Sequence, residues 1–213
     1  MSQNKLQDAT LLLFSTPVFI YNEYSTISDI HNTTSEQLDT RENIGGNLTS
    51  NKNNVLDLES YSVIRSRIMS GLNEYVNNVL CIDLKHEFYL TQSWLNFNPP
   101  GSSHHRHHHA NSIISGVYYI DTVETDNIMF VSHTTNTAVT NNSTLEINVT
   151  DYNITNSNAW TVPVKTNSII YFPSTTLHEV SPNNSDRNRI SLSFNVFVKG
   201  NFGSASTLNE LTL

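Results

Sequence analysis

The chain has 213 residues, 19 acidic and 11 basic, with a formal charge of -8. That balance argues against a general nucleic-acid or anionic-membrane binder, and no apolar run has the length needed to span a bilayer. The length suits one domain, 1–213, with its core at about 86–198, and the Asn, Thr and Ser that carry most of the polarity favour strands and turns over long helices.

A first strand is predicted over 9–21, with Pro17 implying an edge position or a bend. From Asn22 to Asn54 the chain is polar without a sustained period, and Gly45-Gly46 marks a turn or a close backbone approach. Leu58, Tyr61, Ile64, Ile68, Leu72, Tyr75 and Val79 recur at helical spacing, which predicts a helix packed outside a sheet with Arg65 and Arg67 solvated. The single cysteine, Cys81, reads as structural and cannot form an internal disulfide, which fits a reducing compartment. Residues 1–8 lack signal-peptide features, so the sequence suggests a cytoplasmic protein, or one of the host cytoplasm if viral.

Residues 86–98 predict a strand with Trp94, Asn96 and Asn98 on one face, a pattern that suggests a pocket lining. Next comes Gly101-Ser-Ser-His-His-Arg-His-His-His109, which holds five of the nine histidines. It lies mid-chain, is broken by Arg106 and runs into a patterned strand ending at Ile120, which sets it apart from an expression tag. On an extended segment His107 and His109 share a face, His108 points away, and one residue of slippage would bring in His105 instead. Short strands are expected at 127–131 and 144–149, the second inside a Thr/Asn-rich excursion over 132–160. Strands at 168–180 and 189–197 follow, and the chain beyond Lys199 reads as peripheral.

Two histidines make an incomplete metal site, and His178, a polar residue in an apolar run, is the obvious third ligand. Arg189, Ser191, Ser193 and Asn195 alternate with Ile190, Leu192, Phe194 and Val196. This is either an ordinary surface face or a polar cavity wall on which Arg189 grips a carboxylate; the three histidines favour the second.

These residues carry a resemblance. Trp94-Leu-Asn96, Gly101, His107-His-His109, Ser115-Gly-Val-Tyr-Tyr119, Phe172-Pro-Ser174, His178 and Arg189-Ile-Ser-Leu-Ser-Phe-Asn195 together resemble the Fe(II)/2-oxoglutarate-dependent oxygenase superfamily, and more closely a branch common in phages and marine bacteria; Asn43-Ile-Gly-Gly46 resembles an N-terminal motif of that branch. The resemblance implies a mainly β double-stranded β-helix, a jelly-roll or cupin-like barrel with one or two flanking helices. It implies Fe(II) held by His107, His109 and His178, with 2-oxoglutarate and O2 as cosubstrates and ascorbate as an accessory reductant. Arg189 would bind the distal carboxylate, with Tyr119, Asn96, Asn98, Ser191 and Asn195 as further cosubstrate contacts.

The implied reaction converts 2-oxoglutarate to succinate and hydroxylates a C–H bond, with a peptide or protein side chain ahead of a small metabolite as substrate. His109 departs from the superfamily, standing where most members have Asp or Glu, and strand alternation turns Glu179 away from that place. Three histidines also suit a catalytic zinc site, so a zinc-dependent hydrolase or lyase stays open, as does a non-catalytic phage structural or assembly barrel.

Overall fold

A computed structural model describes residues 12, 14–22, 38–83, 85–132 and 147–213. The strands are β1 (Phe19–Asn22), β2 (Thr40–Glu42), β3 (Leu48–Ser50), β4 (Glu87–Asn98), β5 (His104–His107), β6 (Ile114–Asp121), β7 (Asn127–Val131), β8 (Ala159–Pro163), β9 (Ser168–Pro173), β10 (Leu177–Val180), β11 (Arg189–Lys199), β12 (Asn201–Phe202) and β13 (Leu211–Thr212). They form a seven-stranded sheet in the order β1-β9-β6-β11-β4-β3-β2, a four-stranded sheet β5-β10-β7-β8 and a small hairpin β12-β13. The named strands pair antiparallel within these sheets, as a double-stranded β-helix requires. None of the described helices is long and apolar enough to cross a membrane.

The large sheet is buried on both faces, which explains the near-continuous apolar reading of β6 and β9. Its outer face meets helix α1 (Ser62–Glu74), which is preceded by a 3-10 turn at Glu59–Tyr61 and continues as a wider π turn over Tyr75–Val79. Ile64, Ile68, Leu72 and Tyr75 pack there with Tyr118, Tyr171, Leu192 and Phe194. Burying each aliphatic side chain contributes about 1.5–3 kcal/mol. Tyr171 also donates its hydroxyl to the Ile68 carbonyl at 2.8 Å, fixing the helix against β9. The other face carries a second cluster, Val117, Tyr119, Ile128, Phe130, Val164, Ile170 and Phe172, whose residues come from both sheets.

Gly116 is required where the two layers crowd β6, because a Cβ there would meet Phe194 Cζ at 2.2 Å and the Ile170 carbonyl at 2.7 Å. Gly45 has φ of +100° and lies so near Ser103 that a Cβ would meet its carbonyl at 2.6 Å. The paired glycines thus make the turn and the close approach together, tying the β2–β3 hairpin to the start of β5.

Several expectations change. Arg67 is 4% exposed, because the helix carries it on the inner side of its turn; only Arg65 meets solvent, paired with Asp57. Cys81 is exposed and takes a left-handed φ of 51°, so it is a surface thiol and has no place in the core. The apolar stretch 168–180 divides into β9 and β10 at Ser174–Thr176, a turn closed by the Thr176 N–H on the Pro173 carbonyl. The excursion 132–160 yields the start of edge strand β8, while 147–149 is not a strand; 144–146 lies outside the described residues, as do 9–11 and 13 of the predicted first strand. Of the predicted first strand only 19–21 is strand, within β1 at the sheet edge, while the described residues 12 and 14–18 before it are not, with Pro17 just ahead of the strand.

Candidate metal centre

β5 and β10 are antiparallel neighbours in the smaller sheet, with His107 directly opposite His178. The chain then leaves β5 and turns back through Asn111, whose left-handed φ of 55° asparagine tolerates. That turn is stitched to the end of β9: the His109 N–H donates to the Ser174 carbonyl at 2.9 Å, and the Ser174 N–H to the Ile113 carbonyl at 3.1 Å. The result brings one ring nitrogen from each of His107, His109 and His178 within 4.8 Å of the others, with His107 Nε2 and His109 Nε2 at 3.3 Å.

Among the described residues this is the one cluster of three His, Cys, Asp or Glu side chains able to hold a metal ion. His105 and His108 are exposed and outside it. Glu179 is turned away and pairs with Arg106 at 2.8 Å.

Burial holds these imidazoles neutral, as ligation requires. Desolvation lowers His107, takes His109 to about 4 and His178 to about 3, each with a smaller contribution from neighbouring histidines. His104, stacked on His107 with ring centres 4.5 Å apart, is likewise lowered to about 3. The His107 Nδ1 contacts the His105 carbonyl at 2.7 Å and the His178 Nδ1 the Thr176 carbonyl at 3.0 Å. A carbonyl can only accept, so in both rings Nδ1 carries the proton and Nε2 keeps the lone pair that binds a metal. The donor set therefore fits a divalent transition metal with three neutral imidazoles.

The predicted polar wall on β11 is interior: Arg189, Ser191, Ser193 and Asn195 are each 7% exposed or less. Arg189 donates Nη1 to Asp126 Oδ1 at 3.2 Å, and both side chains are 4% exposed. Among the described residues its Nη2 is buried without a partner, and so is Nδ2 of Asn98, the residue opposite Arg189 across the β4–β11 ladder. Two unsatisfied buried donors on paired residues fit a carboxylate. Tyr119 lies in the same field, its hydroxyl raised by burial and influenced by Arg189 and Asp126. Asn96 instead donates to Ser193 at 2.9 Å and accepts from Thr49, while Asn195 turns its side chain to His109, with Oδ1 2.6 Å from Nδ1.

Sequence reasoning missed Asp126 and Ser115. Asp126 reads as an ordinary turn former; its only signal is that a buried arginine needs a counter-charge. Ser115, fully buried in an apolar strand, contacts His109 Nδ1 at 2.9 Å and was legible as a polar residue out of place. Outside the three ligands, a cleft of about 470 Å³ opens beside His107 and His109, lined also by Arg41, Asn43, Gln92 and Trp94.

Residues 92–195 match the family described as "Putative 2OG-Fe(II) oxygenase". No curated protein matches the chain. Among solved structures, a 2OG-Fe(II) oxygenase family oxidoreductase from Burkholderia pseudomallei superposes with TM-score 0.57 at 11% identity, covering 84% of this chain and 83% of that one. HygX from Streptomyces hygroscopicus, solved with nickel, 2-oxoglutarate and hygromycin B bound, gives 0.56 at 10% identity, covering 85% and 82%. A Pseudomonas putida prolyl-4-hydroxylase gives 0.50 at 15% identity, covering 85% and 93%. At these identities the likeness is one of fold. The family match, over residues 92–195, and the candidate metal centre fall on the same stretch, which carries the three clustered histidines and Arg189.

Proposed function

We propose that the protein is an Fe(II)- and 2-oxoglutarate-dependent dioxygenase that hydroxylates a C–H bond, acting on a peptide or protein side chain ahead of a small metabolite. The observation that carries this reading is the pairing of a three-imidazole cluster with a buried guanidinium that still has an unsatisfied N–H. His107, His109 and His178 would hold Fe(II), and Arg189 Nη2 with Asn98 Nδ2 would hold the distal carboxylate of 2-oxoglutarate. Bound iron supplies the redox chemistry, in which substrate C–H, 2-oxoglutarate and O2 become the alcohol, succinate and CO2; ascorbate would serve to keep the metal reduced.

The chain's own work is to bind, orient and exclude water. Asp126 keeps the Arg189 guanidinium in place, and its charge also tempers the attraction for a dianion. Tyr119, kept as the neutral phenol by burial, offers a hydroxyl hydrogen bond on the same wall. Phe172 and Phe130 pack beside His178, with ring centres 4.8 and 6.3 Å away, and form the apolar side of the chamber. The cleft beside His107 and His109 is the place for the prime substrate. Its amides suit a hydrogen-bonding substrate such as a peptide. We infer that the whole chain, 1–213, is a single domain built around this core of about 86–198, without a nucleic-acid or membrane partner.

Anaerobic addition of Fe(II) and then 2-oxoglutarate tests the reading. A weak visible charge-transfer band is expected in the wild type and should fade in Arg189→Ala. Absence of the band with iron demonstrably bound would sink the oxygenase reading. The three-histidine donor set without a carboxylate also favours zinc as a second reading. A zinc hydrolase or lyase has no need of Arg189, so 2-oxoglutarate binding that depends on Arg189 counts against it.

A further inference from the structure

We propose that Asn195 is a positioning residue for His109, holding its Nδ1 protonated and its Nε2 aimed at the metal. This rests on the reading of His107, His109 and His178 as the ligand set. Two of those histidines need no help from a side chain. The Nδ1 atoms of His107 and His178 each contact the carbonyl of the residue two places earlier in the chain, so their tautomer is fixed by backbone.

His109 is different. It lies beyond the end of β5, and among the described residues its Nδ1 contacts side chains only: Asn195 Oδ1 at 2.6 Å and Ser115 Oγ at 2.9 Å. The acceptor arrives from β11, 86 residues later in the chain.

The amide is itself oriented. Its Nδ2 donates to Gln92 Oε1 at 3.0 Å, and Ser115 Oγ donates to its Oδ1 at 2.8 Å. Ser115 is held in turn by Ser174, at 2.8 Å, on the turn that anchors the His109 backbone. With Oδ1 facing the ring, Nδ1 must be the donor and Nε2 is left for the metal, where it already faces His107 Nε2. A side-chain carbonyl here does what backbone carbonyls do for the other two ligands. It also makes the imidazole more basic, which matters in a site whose ligands are all neutral. Asn195 thus serves the ligand that stands in the usual place of a carboxylate, with its side chain engaged by His109, Ser115 and Gln92.

Cobalt(II) titration of the full-length protein, followed by its visible bands, tests the assignment without reference to turnover. Asn195→Ala should weaken Co(II) binding about 10- to 100-fold, the usual loss when an outer partner of a metal-bound histidine is removed, and should alter the bands. Asn195→Asp keeps an acceptor against Nδ1, so it should retain binding and shift the bands as His109 gains imidazolate character. Ser193→Ala, from the same buried face but without a contact to His109, should leave both unchanged. A merely structural amide would lower thermal stability in Asn195→Ala while leaving affinity and bands as they were, and that result overturns the proposal. Should Asn195→Ala fail to fold, loss of Co(II) by a folded Asn195→Asp protein overturns it instead. A wild type that binds no Co(II) removes the metal reading along with it, whereas normal wild-type binding with an indifferent Asn195 removes this inference alone.

Discussion

Arg189 and Asp126 form a buried ion pair, Nη1 to Oδ1 at 3.2 Å, on the wall opposite the smaller sheet's histidines. The aspartate does two further things: its Oδ2 accepts from the Val123 N–H at 2.8 Å, and its backbone carbonyl accepts from Val164. One side chain therefore closes the β6–β7 turn and holds the guanidinium.

Removing it leaves a buried charge without a partner, so Asp126→Ala should cost about 3–5 kcal/mol in urea denaturation. The double variant Asp126→Ala/Arg189→Ala should be less damaged than the two single losses added together, because the stranded cation is gone. An Asp126→Ala protein within about 0.5 kcal/mol of wild type would show that the pair contributes nothing.

The histidine run offers five candidate ligands, and its geometry separates them. His107→Ala, His109→Ala and His178→Ala should each abolish tight Fe(II) or Co(II) binding, since each removes one donor of three. His105→Ala and His108→Ala alter exposed rings outside the cluster and should leave the dissociation constant within about two-fold of wild type. Metal lost on His105→Ala and retained on His109→Ala would mean that the register of the run is slipped by a strand face.

Much of this site is visible in the sequence because its residue types are costly where they stand. A histidine in the apolar run before Glu179, and four polar residues on one face of β11, need a reason to be buried. Helix α1 declares itself by spacing alone, since a 3.6-residue period survives whatever packs against it. What stays hidden depends on contacts distant in the chain. Asn195 and Asn98 look equivalent as inward amides, yet one meets His109 and the other lies opposite Arg189. They lie at different heights on the β4–β11 ladder, Asn98 opposite Arg189 and Asn195 opposite Gln92, and the path of the loop beyond β5 brings His109 to the second. Asp126 is hidden for a similar reason, since Val123-Glu-Thr-Asp126 has the composition of any turn and its partner lies 63 residues away. The split between β9 and β10 escapes notice because Ser174, Thr175 and Thr176 suit a strand as well as a turn.

The neutral histidines make the metal-free protein sensitive to acid. His104 and His178 are lowered to about 3, His109 to about 4, and His107 in the same direction, all chiefly by desolvation. In the unfolded chain each would titrate near 6.5, as an unperturbed histidine does. Between about pH 6.5 and the folded values, the unfolded state binds more protons, so stability rises with pH across that window. It is fully present above about 6.5 and is lost as the pH falls toward 4. For His178, which is 3% exposed, the slope in mid-window approaches about 1.4 kcal/mol per pH unit.

Carboxylates titrate mainly below this range, so melting the metal-free protein between pH 7 and 5 isolates the histidines. A steady fall in melting temperature is expected, and His104→Phe, which keeps an aromatic ring against His107, should flatten it by one proton. Bound metal should sharpen the fall, because protons and metal compete for the same Nε2 lone pairs. A metal-free melting temperature that stays level from pH 7 to 5 would mean that the cluster is open to water and freely protonated, and the dry, preformed ligand set described above would then be wrong.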